Sequence, residues 1–182
     1  MRCYTPTVGH AERAAYQPSM GDPLTSHSMT APPGYDASKF PPFALTADVA
    51  LLNTDGGQLR VVLVQRRNEP FQGRWALPGG FVDIDEDLES AAIRELVEET
   101  GLRCEKLTQL GAYGDPDRDP RMRVVTVVFW AHLTDLSEPI RGDDAADARI
   151  WDMDEMLARP DLLAFDHHQI LTDVRSAYEA AT

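Results

Sequence analysis

Basic residues are scarce in this chain: 17 Lys and Arg stand against 30 Asp and Glu among 182 residues, a formal net charge of −13. That balance opposes long-range attraction to DNA, RNA or an acidic membrane, so neither nucleic acid nor membrane is expected as a partner. It still allows a small anion whose charge is masked by a cation. Cysteine is nearly absent as well. Cys3 and Cys104 are the only two, and Cys3 stands in a proline-rich stretch, which argues against a structural disulfide or a cysteine zinc site. No apolar run approaches the roughly 18–20 residues that span a bilayer, and the N-terminus lacks the apolar centre of a signal peptide. These absences read as a cytoplasmic protein. With 43% hydrophobic and 26% charged residues, the remainder has the make-up of one ordinary globular domain.

Residues 1–38 carry Pro6, Pro18, Pro23, Pro32 and Pro33 among Ser, Thr, Gly and His, with no helical or strand period, and read as a disordered tail. Met20 and Met29 are alternative starts within it. The domain is expected over residues 39–182. Ala44 to Leu52 and Leu59 to Gln65 read as strands joined by a turn at Asn53 to Gly57. Arg74 to Leu77 is a short strand stopped by a turn at Pro78-Gly79-Gly80. Leu88 to Thr100 is a helix with Gly101 as its C-terminal cap. Strands follow at Leu107–Tyr113, Val124–Leu133 and Ala148–Trp151, and helices at Met153–Leu157 and His167–Ala180, with a polar loop at Gly114–Arg121. Strands mixed with a few helices, without regular βαβ alternation, predict an α+β chain in α/β/α layers.

The chemistry concentrates in one segment, Gly80-Phe-Val-Asp-Ile-Asp-Glu86, then seven residues, then Arg94-Glu95-Leu96-Val97-Glu98-Glu99-Thr100-Gly101-Leu102. At about 100° per residue, Glu95, Glu98 and Glu99 share one helix face. Ile93, Leu96, Val97 and Thr100 lie roughly opposite, free to meet the core. Three carboxylates on one face repel. A hard divalent cation such as Mg²⁺ or Mn²⁺ turns that repulsion into attraction. A carbonyl at the flexible Gly79-Gly80 step could complete the ligand set. Taken alone, each piece has a plain reading: a solvated acidic face, a surface arginine, a turn.

Together they satisfy G-x5-E-x7-R-E-U-x-E-E-x-G-U, with U aliphatic, at every position. Seven fixed identities and two aliphatic sites make a chance match on the order of 10⁻¹⁰ per start. On these residues the chain resembles the Nudix hydrolases. The resemblance implies the Nudix fold, an α/β/α sandwich with a mixed central sheet. It implies Glu98 and Glu99 as principal metal ligands, Glu95 as a third ligand or water-orienting base, and the Gly80 carbonyl as a further ligand. Glu86 would support the site, and Arg94 would orient the carboxylates by ion pairing. The activity implied is Mg²⁺-dependent cleavage of a pyrophosphate linkage in a nucleoside diphosphate derivative, with Mn²⁺ as a substitute metal. The proton acceptor is Glu95 or an acid from the loop at Arg141-Gly142-Asp143-Asp144, Asp144 or Asp143.

Substrate choice rests on thinner signals. Pro116 lies fifteen residues past Gly101, a spacing associated in the family with ADP-ribose pyrophosphatases, and Leu163-Ala164-Phe165-Asp166-His167 is similar to the same branch. ADP-ribose, cleaved to AMP and ribose 5-phosphate, is therefore the expected substrate, with an oxidised nucleotide, NADH or an NDP-sugar as alternatives. Arg66, Arg67, Arg118 and Arg121 are candidate contacts to the diphosphate or ribose, and Phe43, Phe71 or Tyr113 could stack on adenine. His167-His168 reads as helix-start surface, since adjacent helical positions diverge. The branch also resembles the ligand-binding half of NrtR-like regulators, so a sensor is the reading from a different class. Those regulators carry a winged-helix domain after the Nudix domain, for which no room is expected after Thr182. Relatives in this branch exchange N-terminal strands, which makes a homodimer an expectation of the resemblance.

Overall fold

The computed structural model describes residues 42–142 and 145–182. The expected tail at 1–38, the strand exchange that would involve it, and Asp143 and Asp144 lie outside the described residues. The chain runs β1 (Ala44–Asp55), β2 (Gln58–Arg66), β3 (Trp75–Ala76), β4 (Gly79–Phe81), α1 (Leu88–Thr100), β5 (Thr108–Tyr113), β6 (Val124–Leu133), β7 (Ala145–Asp152), α2 (Met153–Leu157), a 3₁₀ turn at Pro160–Leu162, and α3 (His167–Ala181). One mixed sheet holds all seven strands in the order β3-β2-β1-β6-β5, with β4 against β1 and β7 against β2. Only β1 and β6 run parallel, in register from Ala44↔Val124 to Asn53↔Leu133; the other pairings are antiparallel.

The β1–β2 hairpin closes between Asp55 and Gln58. Gly56 and Gly57 take φ of 60° and 85° there, which side chains with a Cβ rarely adopt. Beyond Leu52↔Val61 the two strands part company. β2 goes on to pair with β3 at Val64↔Ala76, whereas β1 pairs with β4 at Thr46↔Phe81 and Asp48↔Gly79. The segment Trp75–Phe81 thus fills the gap between the diverging strands. This corrects the expected turn at Pro78-Gly79-Gly80. The chain crosses from β2 to β1 there, with the Pro78 carbonyl accepting the Val49 N–H at 2.8 Å, and Gly79 and Gly80 are strand residues.

Side-chain alternation along a strand divides the core in two. Ala47, Val49, Leu51 and Val62 pack with Ala91, Ala92 and Leu96 of α1 on one face of the sheet. Ala50, Leu52, Val61 and Leu63 pack with Met153, Met156, Ile170, Leu171 and Val174 of α2 and α3 on the other. The result is the layered α/β/α arrangement.

The start and stop of α1 are local. The Asp87 carboxylate accepts the N–H groups of Glu89 and Ser90, and Gly101 leaves the helix in the left-handed region at φ 68°. Its buried row is Ala91, Ala92, Leu96 and Thr100, with Ile93 and Val97 only half-buried. The expected apolar face is therefore rotated: two alanines without bulk bring the helix close to the sheet and carry the contact, and the branched side chains flank it.

Leu96 is fully buried between α1 and the sheet, whereas Ile84 is 92% exposed. Leu96→Ala is expected to lower the unfolding free energy by about 3 kcal/mol. Ile84→Ala should change it by less than about 0.5 kcal/mol. Urea titration of both variants against the parent checks the pair.

Candidate active site

Where β1 and β2 diverge, a cleft of about 460 Å³ opens over β4. One wall is acidic and belongs to the motif. Gly80 lies so close to Glu95 that a Cβ on it would collide with the Glu95 carboxylate, and a Cβ on Gly79 would collide with Asp48. The glycines are needed for this approach. The Gly79 N–H donates to Glu99 Oε2 at 3.0 Å. Burial is the main cause that pushes the Glu99 carboxyl up to about 8; the nearby Glu95 and Asp48 carboxylates add to it, against the Gly79 hydrogen bond. Burial likewise raises Glu95, against the ion pair with Arg94.

Arg94 organises this wall. Its Nε and Nη2 grip both oxygens of Glu86 at 2.9 and 2.8 Å. Its Nη1 reaches Glu95 at 2.7 Å and Glu98 at 3.2 Å, and Nη2 also meets the Phe81 carbonyl. The hydrogen bonds from Arg94 hold the Glu86 carboxyl below its ordinary range. Glu98 is the exposed member of the set, its side chain 56% accessible, and it stands outside the cleft. Among the described residues no three His, Cys, Asp or Glu side chains are already gathered as a metal cage. Glu98 would have to leave Arg94, and an exposed ion pair of that kind costs little to break. All the candidate donors are oxygens, and two are half-buried carboxylates with raised proton affinity. That donor chemistry fits a hard divalent cation.

The remainder of the cleft is basic and aromatic. Arg66, Arg118, Arg121, Phe165 and His167 line it together with Asp119. Arg118 is committed to Asp166 through two bonds of 2.9 and 2.7 Å. Arg121 is held by Asp119 in the same two-pronged way, at 3.0 and 2.7 Å. Arg66 donates its Nε to the Pro70 carbonyl at 2.7 Å, and its terminal nitrogens make no hydrogen bond among the described residues. Arg67 and Phe43 stand elsewhere. Arg67 donates to the Ala145 carbonyl and lines a smaller adjoining hollow with Arg66, Gly79 and Glu99, and Phe43 is 61% exposed off the cleft. Tyr113 is tied to Asp173 of α3, whereas Phe71 borders a neighbouring hollow with Phe165, Arg118 and Asp115 to Asp117.

The floor was not anticipated from sequence. Asp48 is buried, and its Oδ2 accepts the Thr126 hydroxyl at 2.6 Å; burial raises its carboxyl, against the nearby His167 and the Thr126 hydrogen bond. A charged aspartate inside the mostly apolar ALTADVALL was the available signal. His167, expected at the surface, is only 3% exposed. Its Nδ1 accepts the Leu77 N–H at 2.9 Å, which leaves the ring proton on Nε2, and burial lowers its proton affinity. The α3 N-terminus packs under Trp75 through the Ala164 N–H and Trp75 carbonyl. That contact buries His167 and leaves His168 half-buried against Leu157.

The model of the NUDIX domain family matches residues 42–174. An ADP-ribose pyrophosphatase of Methanocaldococcus jannaschii is 43% identical over 114 residues, covering 63% of this chain and 64% of that protein. This chain therefore spans just under two thirds of that relative's length. Among solved structures, the NUDIX domain of Shewanella oneidensis NrtR complexed with ADP ribose superposes with a TM-score of 0.72 at 37% identity, over 80% of this chain and 94% of that one. A bifunctional NMN adenylyltransferase/ADP ribose pyrophosphatase of Francisella tularensis, complexed with AMP and a manganese ion, gives a TM-score of 0.68 at 30% identity, over 76% of this chain and 42% of that one.

The raised Glu99 sets a pH dependence. Its carboxyl moves from 4.5 to about 8 on folding, so the folded state binds the extra proton. Its contribution to stability is full below pH 4.5 and lost as pH rises to about 8. In metal-free buffer, the stability of the parent relative to Glu99→Gln should fall across that window, and a divalent cation should oppose the fall. Thermal unfolding of both proteins at several pH values, with and without EDTA, measures it.

Proposed function

Since the chain belongs to the Nudix family, we propose that it hydrolyses the pyrophosphate linkage of a nucleoside diphosphate derivative, ADP-ribose, to AMP and ribose 5-phosphate, using Mg²⁺ or Mn²⁺. The observation that carries this reading is one cleft lined both by buried carboxylates around Gly79 and Gly80 and by the guanidinium groups of Arg66, Arg118 and Arg121. A diphosphate in that cleft is neutralised both by a cation on the carboxylates and by the guanidinium groups. The pyrophosphatase from Methanocaldococcus jannaschii and the ADP-ribose complex of the NrtR domain support the choice of ligand.

Glu98, Glu99, Glu95 and the Gly80 carbonyl would hold the cation. When bound, it supplies neutralisation of phosphate charge and acidification of a coordinated water. The protein's own groups do the rest. The Gly79 N–H keeps Glu99 turned toward β4. Arg94, anchored on Glu86, keeps Glu95 in place. Glu95 takes the proton of the attacking water, with Asp144 or Asp143 as the alternative acceptor. The water oxygen bonds to phosphorus as the bridging P–O bond breaks, and the released phosphate keeps that electron pair. Arg66 and Arg121 face the diphosphate from the basic wall, and Arg118 shapes that wall through its pair with Asp166. Arg67 and Phe43 stay candidates only for parts of a ligand that extend beyond the cleft.

The likeness to the NrtR domain favours one second reading, a sensor that binds ADP-ribose and releases nothing. A single experiment separates the two. The purified protein is incubated with ADP-ribose and Mg²⁺ and AMP is followed, beside Glu98→Gln and Glu99→Gln. Release should disappear with EDTA. It should fall by about a hundredfold or more in each variant, since several kcal/mol of charge stabilisation are removed. Tight binding without AMP would establish the sensor. A higher rate with an oxidised nucleotide, NADH or an NDP-sugar would displace ADP-ribose as substrate.

A further inference from the structure

Phe165 is the feature of the cleft that neither the motif nor the acid–base chemistry uses. It sits at φ 51°, the left-handed region that a bulky side chain adopts only when its surroundings impose it. The imposing contacts are at hand. The Ala164 N–H is tied to the Trp75 carbonyl on one side, and Asp166 is held by Arg118 on the other. The same Asp166 stands at the head of α3 and makes no side-chain capping bond; its carboxylate serves Arg118 instead. The backbone on both sides of Phe165 is therefore fixed from the sheet and from the post-motif loop, and the ring is driven into the cleft wall.

What the ring meets there is cationic. The Arg66 guanidinium carbon lies 4.7 Å from the ring centroid and that of Arg121 lies 5.9 Å away. Phe71, itself at φ 63°, closes the edge of the ring with centroids 4.9 Å apart. Burial, and after it repulsion from Arg121, lowers the Arg66 proton affinity. Arg121 has Asp119 to hold it. Arg66 has no carboxylate partner among the described residues; only the Pro70 carbonyl and the Phe165 ring fix it. A carboxylate in place of the ring would anchor Arg66 but cancel its charge. An aromatic face anchors it and leaves the charge free.

We propose that Phe165 is a positioning residue: a neutral aromatic platform that holds Arg66, spaced from Arg121, so that its free guanidinium edge meets a diphosphate in the cleft. It touches neither the ligand's phosphates nor the reacting atoms, and it acts through Arg66. The inference rests on the reading of the cleft as a diphosphate site but not on ADP-ribose as the ligand.

The test uses inorganic pyrophosphate with Mg²⁺ as the probe, with binding to the full chain measured by calorimetry, and AMP release from ADP-ribose measured alongside. Phe165→Leu keeps apolar bulk and removes the ring face. It should weaken pyrophosphate binding about tenfold and raise KM for ADP-ribose by a similar factor, with kcat little changed. Phe165→Tyr should restore both, which a role in packing alone does not require of Leu and Tyr. In an Arg66→Met background, Phe165→Leu should have a much smaller effect, because the cation that the ring would hold is already gone. Should Phe165→Leu fold poorly by its melting temperature, Phe165→Met takes its place in the same cycle. Equal pyrophosphate binding by parent and Phe165→Leu overturns the proposal. So do additive effects of the two substitutions, or no pyrophosphate binding by the parent. Pyrophosphate binding that follows this pattern, with no turnover of ADP-ribose, sinks the substrate reading and leaves the platform standing.

Discussion

Three carboxyl groups, Asp48, Glu95 and Glu99, are packed around two glycines with little solvent to spread their charge. The rest of the site answers to that crowding. Gly79 and Gly80 are there because a Cβ at either position would occupy the volume of a carboxylate oxygen. Arg94 lies beside Glu95 and is itself fixed by Glu86. The Thr126 hydroxyl meets Asp48 from β6. Burial is the main cause that raises the proton affinity of all three groups, and neighbouring carboxylates add to it at Glu95 and Glu99. Buried like charges left in this condition are costly as structure and useful as a cation site.

The sheet supplies the crowding by a change of partner. If β1 and β2 remained paired along their whole length, Asp48 would face a neighbouring strand and no wedge could enter. Because β1 takes β4 and β2 takes β3 on the edges that diverge, seven residues from Trp75 to Phe81 lie between them. They bring a backbone N–H to Glu99 and another to His167. The same wedge thus touches α1 on one face of the sheet and α3 on the other. Motif helix and C-terminal helix are positioned by one short segment.

That segment also marks the limit of what the sequence discloses. Periodicity and caps place α1 over Leu88–Thr100 and β6 over Val124–Leu133 as observed, because helix capping and a long apolar strand are local events. The motif spacing names Glu86, Arg94, Glu95 and Glu99, which the fold does bring together. Gly79-Gly80 is misread as a turn because glycine pairs signal turns locally, while here their small size serves a contact with residues fifteen or more positions away. His167 is misread as surface for the same reason: its burial depends on Leu77, ninety positions distant. Asp48 carries a trace in its apolar surroundings, but its partner Thr126 comes from a strand that only the fold brings alongside. Long-range partners decide the residues that sequence patterns do not.

The arginines of the cleft show how the two walls divide the work. Arg94, Arg118 and Arg121 each spend their charge on a carboxylate of this chain, so they set geometry more than field. An Arg–carboxylate pair is close to neutral from a distance and offers a phosphate little beyond its outer N–H groups. Arg66 differs: it is held by a carbonyl and the Phe165 ring, with no carboxylate partner among the described residues, and keeps its charge inside the cleft. In a chain with net charge −13, distant acids repel any anion that approaches, and salt screens that repulsion beyond about 10 Å. An anion is therefore retained only by charge close at hand and unshared. A cation held at Glu99, together with Arg66, would meet that condition, and a diphosphate would have charge at both ends of the bridging oxygen to meet them.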